Sequence, residues 1–316
     1  MNPTTILSLT MNLLSIIILM TSSSWITMWM AFELNMVSFI PMMMNKQNNS
    51  TPESMMKYFM IQTIGSIMLI LAMIMKNTPM TTPNMTSLIT LSMLTKMGAF
   101  PVFQWLPSVT EGLSWMTMTL LLTTQKIMPM FLMMMMNNLT MIYLAAAASA
   151  LVGAIGGFNQ IMTRKMMAYS SITHMGWMLM IINNKMLVMI YIFLYSIILL
   201  SITMQMKEMS MYSISTSYQK TTKKTLIMSM LSLGGMPPLL GFMPKLLSIN
   251  WITKNNFLML IPLIIGALIN LSFYMNIMMK SMLMNTTTTS LKKNNKMSLQ
   301  AMSIPSATLT APVMMM

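Results

Sequence analysis

Residues 92–107 read SMLTKMGAFPVFQWLP, and residues 229–245 read SMLSLGGMPPLLGFMPK. The two runs share a spacing. Gly98, Pro101 and Pro107 fall as G-x2-P-x5-P, and Gly235, Pro238 and Pro244 repeat it 137 positions later. Proline removes a backbone donor and clashes with the preceding turn, while glycine accepts backbone angles other residues resist, so each run breaks a helix. Both lie in stretches apolar enough to enter a bilayer. Matched discontinuous helices in the two halves of a chain are the pattern of inverted-repeat membrane proteins, whose unwound segments mark a pathway near the midplane.

Working outward with a window of about 20 residues gives ten apolar segments, roughly 4–22, 25–44, 56–75, 85–104, 116–136, 139–158, 166–183, 186–205, 225–246 and 257–279, and a weaker eleventh at about 298–316. Short connectors with turn residues join them, and only 206–224 and 280–297 read as long polar loops. The expected fold is therefore all-α: one polytopic helical membrane domain over 1–316. Its first repeat is 1–136, broken near 98–107. Its second is 139–279, broken near 235–244, followed by a polar loop and candidate last helix in 280–316. The broken segments are the fourth and the ninth, an odd number apart, so the second copy runs the opposite way through the membrane.

Composition agrees. Of 316 residues 55% are hydrophobic and 7% charged, with a mean hydropathy of +0.68, well beyond what a soluble core of this size needs. Twelve basic residues, among them Arg164, Lys165, Lys223 and Lys224, follow even-numbered segments, and only Lys76, Lys185 and Lys254 follow odd-numbered ones. By the positive-inside rule this places the N-terminus on the positive side. The +14 net charge then reads as topology and contact with anionic phospholipids such as cardiolipin. A nucleic-acid reading needs a clustered basic face with interleaved aromatics, and none is present. No cysteine occurs, which excludes disulfides, thiolate metal sites and cysteine-ligated iron–sulfur clusters in this chain. Neither a Gly-rich dinucleotide fingerprint nor a metal-ligand cluster is present, so no cofactor is expected here.

Methionine appears 55 times and aspartate never, and residues with G-initial codons are few. A G-poor coding strand with a second codon read as Met produces this bias, as in metazoan mitochondrial genomes. The N-terminus carries neither a basic n-region nor an Arg-rich presequence, and is expected to need no import signal. The matrix is then the positive side. The plainer reading, methionine as a flexible apolar filler, accounts for most individual positions.

Against that background the ionisable residues inside the segments stand out. A charge at membrane depth costs roughly 2.5–3.5 kcal/mol on insertion scales and is a functional-site hypothesis by default. Lys96 sits two residues before Gly98, with Ser92 one turn earlier. Lys126 is central in its segment, preceded by Thr119 and Thr123 on a polar stripe and followed by Pro129. Lys245 follows Pro244 near the end of the ninth segment, where a snorkelling anchor is the competing reading. Glu33 is the one acidic residue within a segment, and pairing with a lysine is expected over isolation. His174, the one histidine, is either a proton relay or a hydrogen-bonded tie between helices. Glu53, Glu111 and Glu208 read as solvated loop carboxylates.

Taken in order, Phe32-Glu33-Leu34-Asn35-Met36 with Phe39-Ile40-Pro41, Lys57-Tyr58-Phe59, Lys96-Met97-Gly98-Ala99-Phe100-Pro101, Gln125-Lys126-Ile127-Met128-Pro129-Met130, Ala168–Trp177 and Leu231–Lys245 resemble the antiporter-like proton-pumping membrane subunits of NADH:ubiquinone oxidoreductase, respiratory complex I. The resemblance covers about residues 1–280. It implies that Glu33 pairs with Lys96, that Lys126 links toward the centre, and that Lys245 stands on the exit-side half-channel. Bacterial relatives carry the glutamate on their fifth helix; its place here on the second matches animal forms lacking three N-terminal helices. The run Pro107-Ser108-Val109-Thr110-Glu111-Gly112 departs from the family's Pro-Glu-Val-Thr-Gln-Gly, leaving Glu111 without an implied role.

The resemblance also implies a mitochondrial inner-membrane location and partners among other complex I membrane-arm subunits, including a neighbouring antiporter-like one. NADH, FMN, iron–sulfur clusters and ubiquinone are then bound elsewhere in the complex. Burial disfavours a charged lysine and a nearby carboxylate favours it. Making and breaking a Glu33–Lys96 ion pair is thus expected to shift protonation along the chain, with a proton moving through water among Lys96, Lys126, His174 and Lys245 and the energy coming from quinone reduction elsewhere. The alternative is a stand-alone cation/proton antiporter of the related transporter family, which shares the repeat and the lysines.

Overall fold

A computed structural model describes residues 3–44, 50–76, 82–136, 139–208, 220–255 and 257–283. The eleventh segment expected at 298–316 lies outside them. Thirteen α-helices follow one another with no strand among the described residues, and one 3-10 turn, Phe257–Met259, leads into the last helix. The chain divides into two compact units, Met1–Ser149 and Ala150–Met316.

The first unit holds α1 (Pro3–Thr21), α2 (Trp25–Met43), α3 (Thr51–Lys76), α4 (Thr82–Met97), α5 (Trp105–Gly112), α6 (Trp115–Leu122), α7 (Thr124–Met133) and the start of α8 (Leu139–Phe158). Pro3 opens α1, where its missing N–H leaves no gap. Ser24 and Ser114 cap α2 and α6, accepting from the backbone N–H of Thr27 at 3.3 Å and Thr117 at 3.4 Å. On α3 the buried positions Ser54, Tyr58, Gln62, Gly65, Leu69 and Ala72 form one stripe, and Ile64, Ile67, Leu71 and Ile74 are exposed on the other. In water such an apolar face would drive aggregation; in a bilayer it matches its solvent, and the helix satisfies its own backbone.

The second unit holds the rest of α8, then α9 (Thr163–Met180), α10 (Lys185–Glu208), α11 (Lys220–Gly234), α12 (Phe242–Asn255) and α13 (Leu260–Leu283). Its centre is α9. All of α9 but Lys165 and Tyr169 is buried, including Ser170, Ser171, Thr173 and His174. Gly153 of α8 makes this possible: a β-carbon there would sit 2.8 Å from the backbone nitrogen of Thr173 and 2.9 Å from the Tyr169 carbonyl. Among the described residues six helices, α1, α2, α3, α8, α10 and α13, are long and apolar enough to cross a membrane unaided.

Three expected segments are each two helices. The fourth stops at Met97 and resumes as α5. The ninth stops at Gly234, resumes at Phe242 and continues to Asn255, beyond the expected end at 246. The fifth breaks at Thr123, where the sequence reading placed no interruption. There the Thr123 hydroxyl donates to the Thr119 carbonyl at 2.6 Å and that of Thr124 to Leu120 at 2.9 Å, bonds that bend helices. Lys126 N–H accordingly donates to Thr123 O at 3.1 Å, one residue short of the α-helical register. The polar loop expected over 206–224 is also shorter, since α10 reaches Glu208 and α11 starts at Lys220.

Candidate functional site

The two glycine–proline runs build the same backbone device. Gly98 has φ +70° and Gly235 φ +82°, the left-handed region. The N–H of Gly98 donates to Thr95 O at 3.2 Å and that of Ala99 to Leu94 O at 3.0 Å. The N–H of Gly235 donates to Ser232 O at 3.0 Å and that of Met236 to Leu231 O at 3.2 Å. Each pair is a Schellman cap, which closes a helix by satisfying its last carbonyls. Non-helical backbone follows over 98–104 and 235–241, and the Phe100–Pro101 peptide is cis. Pro107 and Pro244 are each the third residue of the helix that restarts, α5 and α12, where no intrahelical N–H is needed. Gly98, Pro101, Pro107 and Gly235, Pro238, Pro244 thus occupy corresponding positions.

A lysine stands at the carboxyl end of each broken helix. Lys96 belongs to the last turn of α4 and is 5% exposed. Its Nζ lies 4.6 Å from the centroid of the Phe32 ring, a cation–π contact. Its own carbonyl accepts from Gln62 Nε2 at 3.2 Å, and the Thr95 carbonyl accepts from Trp105 Nε1 at 3.1 Å. Lys245 is also 5% exposed, and its Nζ donates to Gly234 O at 2.7 Å. The ends of both half-helices present partial negative charge, a favourable place for a cation.

Glu33 is half-buried on α2, directly after Phe32. The direct ion pair expected between Glu33 and Lys96 is absent; the face of the neighbouring Phe32 ring takes the contact. Lys126, 3% exposed, is the third residue of α7, directly after the Thr123 break. The stripe read from Thr119 and Thr123 is turned to the backbone, with Thr119 donating to Met116 O at 2.7 Å, and Ser92 likewise donates to Ile89 O. The preceding residue, Gln125, joins a buried amide network described below. Lys245 does not snorkel: the restart at Phe242 places it in the first turn of α12, not at a segment end.

In the second unit His174 is 4% exposed, and its Nδ1 shares a 2.9 Å hydrogen bond with the hydroxyl of Tyr191 on α10. The Tyr195 ring stands 5.0 Å away, centroid to centroid. Asn270 of α13 donates to Thr173 Oγ1 at 2.9 Å, while Ser170 is turned to Met167 O. Among the described residues no group of three or more His, Asp or Glu side chains could hold a metal ion. Sequence reasoning assigned no part to Tyr191, Gln62 or Gly65; the helical spacing of Gln62 and Gly65 from Tyr58 was the available signal, and Tyr191 offered none.

The transmembrane family described as NADH:quinone oxidoreductase/Mrp antiporter matches residues 22–270. The chain belongs to this family. It is 40% identical to NADH-ubiquinone oxidoreductase chain 2 of Loxodonta africana, over 90% of this chain and 87% of that one. To the Lumbricus terrestris chain 2 it is 34% identical, over 89% and 88%. Among solved structures it is similar in fold to a chain of respiratory complex I from Thermus thermophilus, with TM-score 0.80 and 17% identity over 99% of this chain and 78% of that one. It is also similar to a chain of the Mrp complex from Dietzia, with TM-score 0.76 and 14% identity over 86% and 58%. The chain is a multi-pass helical membrane protein of the NADH-ubiquinone oxidoreductase chain 2 group, and its solved fold relatives are parts of multi-subunit membrane assemblies.

Proposed function

We propose that this chain carries proton translocation across the mitochondrial inner membrane as a core membrane-arm subunit of complex I. The observation that carries the reading is the burial of three lysines, Lys96, Lys126 and Lys245, each beside an interruption in an apolar helix. A scaffold has no use for such residues, because each ammonium at membrane depth carries an insertion penalty of several kcal/mol. A proton carrier does. In the first unit Glu33, Lys96 and Lys126 form one set, with α4 packed on α7. In the second, His174 and Lys245 form another, with α12 packed on α9. Each lysine alternately holds and releases a proton, His174 relays it, and Glu33 biases the charge on Lys96. Non-helical backbone at the two breaks is the arrangement that marks a pathway near the midplane in inverted-repeat membrane proteins.

The driving electron transfer, from NADH to ubiquinone through FMN and iron–sulfur clusters, belongs to partner subunits; a chain without cysteine has no thiolate to ligate a cluster. The neighbours are other membrane-arm subunits, one of them antiporter-like, with cardiolipin at the basic matrix side. The likeness to an Mrp complex favours one second reading, a free-standing cation/proton antiporter that works without NADH.

The deciding experiment is Lys126→Met in the intact complex, reading assembly on a native gel, NADH oxidation and protons moved per NADH. Normal assembly with fewer protons per NADH supports the proposal, and unchanged pumping removes Lys126 from the pathway. Migration of the chain apart from NADH:quinone activity would favour the antiporter.

A further inference from the structure

One face of α3 touches Lys96 and the residue that precedes Lys126. Tyr58, Gln62 and Gly65 follow at i, i+4 and i+7 and are all buried. The Tyr58 hydroxyl donates to Gln125 Oε1 at 3.2 Å, on the residue that precedes Lys126. Gln62 Nε2 donates to the carbonyl of Lys96. Gly65 leaves the channel along which the Lys96 stem runs: a β-carbon there would lie 2.9 Å from Lys96 Cγ and 3.3 Å from Cε.

Beyond Tyr58 the network closes on itself. Asn35 Nδ2 donates to Gln125 Oε1 at 2.9 Å and Gln125 Nε2 returns the bond to Asn35 Oδ1 at 3.0 Å, while Asn12 Nδ2 also donates to Asn35 Oδ1 at 2.6 Å. Each of the two amide oxygens accepts twice. Helices α1, α2, α3 and α7 meet here, and α2 also carries Glu33. Interhelical hydrogen bonds in membranes add little stability on average. What a fully satisfied buried network adds is a single arrangement.

We propose that Tyr58, Gln62 and Gly65, with the Asn35–Gln125 amide pair, are positioning residues that hold Lys96 and Lys126 in one geometry for proton transfer. The proposal rests on the reading of those lysines as proton carriers. These residues act through the lysines: amides do not titrate, Gly65 has no side chain, and the Tyr58 hydroxyl is committed to Gln125 Oε1. Two of the attachments fall on or beside a lysine backbone and the third on a lysine stem. A network serving only to tie helices together has no reason to choose those points.

The test uses the intact complex in sealed vesicles, measuring NADH-driven proton movement and uncoupled NADH oxidation in parallel. The variants are Gly65→Ala, Tyr58→Phe, Asn35→Leu and the exchange Asn35→Gln with Gln125→Asn, against Lys126→Met. The expected result is near-normal uncoupled NADH oxidation in the single variants, with protons per NADH reduced on the scale of Lys126→Met. The exchange, which restores a reciprocal amide pair, should recover pumping relative to Asn35→Leu. Should Asn35→Leu fail to assemble, Tyr58→Phe decides, since it removes one hydroxyl and keeps the ring. Wild-type proton yields in Gly65→Ala and Tyr58→Phe beside an impaired Lys126→Met overturn the positioning role and leave the lysine reading standing. A neutral Lys126→Met overturns both.

Discussion

Lys245 reaches back over the break that precedes it and donates to the carbonyl of Gly234, the last residue of α11, at 2.7 Å. Lys96 instead belongs to the last turn of the helix that ends at the first break, and its Nζ faces the Phe32 ring. Each break thus carries a buried lysine by a different route, and the space comes from different glycines: Gly235 itself at the second break, where a β-carbon would lie 2.7 Å from Lys245 Nζ, and Gly65 of α3 beside the Lys96 stem at the first.

Gly235→Ala should therefore be damaging in two ways. Its φ of +82° imposes roughly 1–2 kcal/mol on any L side chain, and the added carbon would lie 2.7 Å from Lys245 Nζ. We expect a lower melting temperature of the isolated complex and fewer protons per NADH. Gly234→Ala, whose added carbon meets Tyr274 at an ordinary 3.4 Å, should change neither. Equal pumping in the two variants would contradict the account.

Tyr191→Phe removes the hydroxyl that meets His174 Nδ1 and leaves the ring packed. The stability change should be small, about 0.6 kcal/mol as for interhelical bonds generally. If His174 relays protons, the orientation of its imidazole matters more than that energy. Protons per NADH should fall in both Tyr191→Phe and His174→Leu. A loss in the histidine variant alone would show that the tyrosine does not steer it.

Gly153→Ala tests how α9 is held. The added carbon meets backbone atoms of Thr173 and Tyr169, which cannot swing aside, and overpacking of this kind costs about 1–3 kcal/mol. Less assembled complex on a native gel is the expected outcome; wild-type amounts would mean that α8 and α9 can separate without harm.

The exposed pair Lys57–Glu53, 3.8 Å apart on the first turns of α3, supplies the contrasting case. Surface ion pairs at this spacing contribute about 0.3–0.5 kcal/mol. Glu53→Gln should leave assembly, melting temperature and pumping as they are, and a measurable pumping defect would call for a role in the proton route.

The helix breaks at Gly98 and Gly235 were legible because glycine and proline alter the backbone whatever surrounds them. The break at Thr123 was not, since a threonine hydroxyl can face a helix partner or its own backbone, and only packing decides which. Lys245 illustrates a different limit. A segment drawn to 246 leaves it near water, whereas the restart at Phe242 buries it. Glu33 and Lys96 invited an ion pair, but the Phe32 ring takes the contact position. The stripe Tyr58, Gln62, Gly65 was present as periodicity; its partners, Gln125 and Lys96, are 67 and 34 positions away from Tyr58 and Gln62, and no local pattern names them.

The encased α9 also constrains how the protein is made. It is not among the helices apolar enough to enter a bilayer alone, and its serines, threonine and histidine are shielded only once α8, α10 and α13 surround it. During synthesis α9 must partition together with its neighbours, so a nascent chain stopped just after Met180 should lose this helix to the aqueous side.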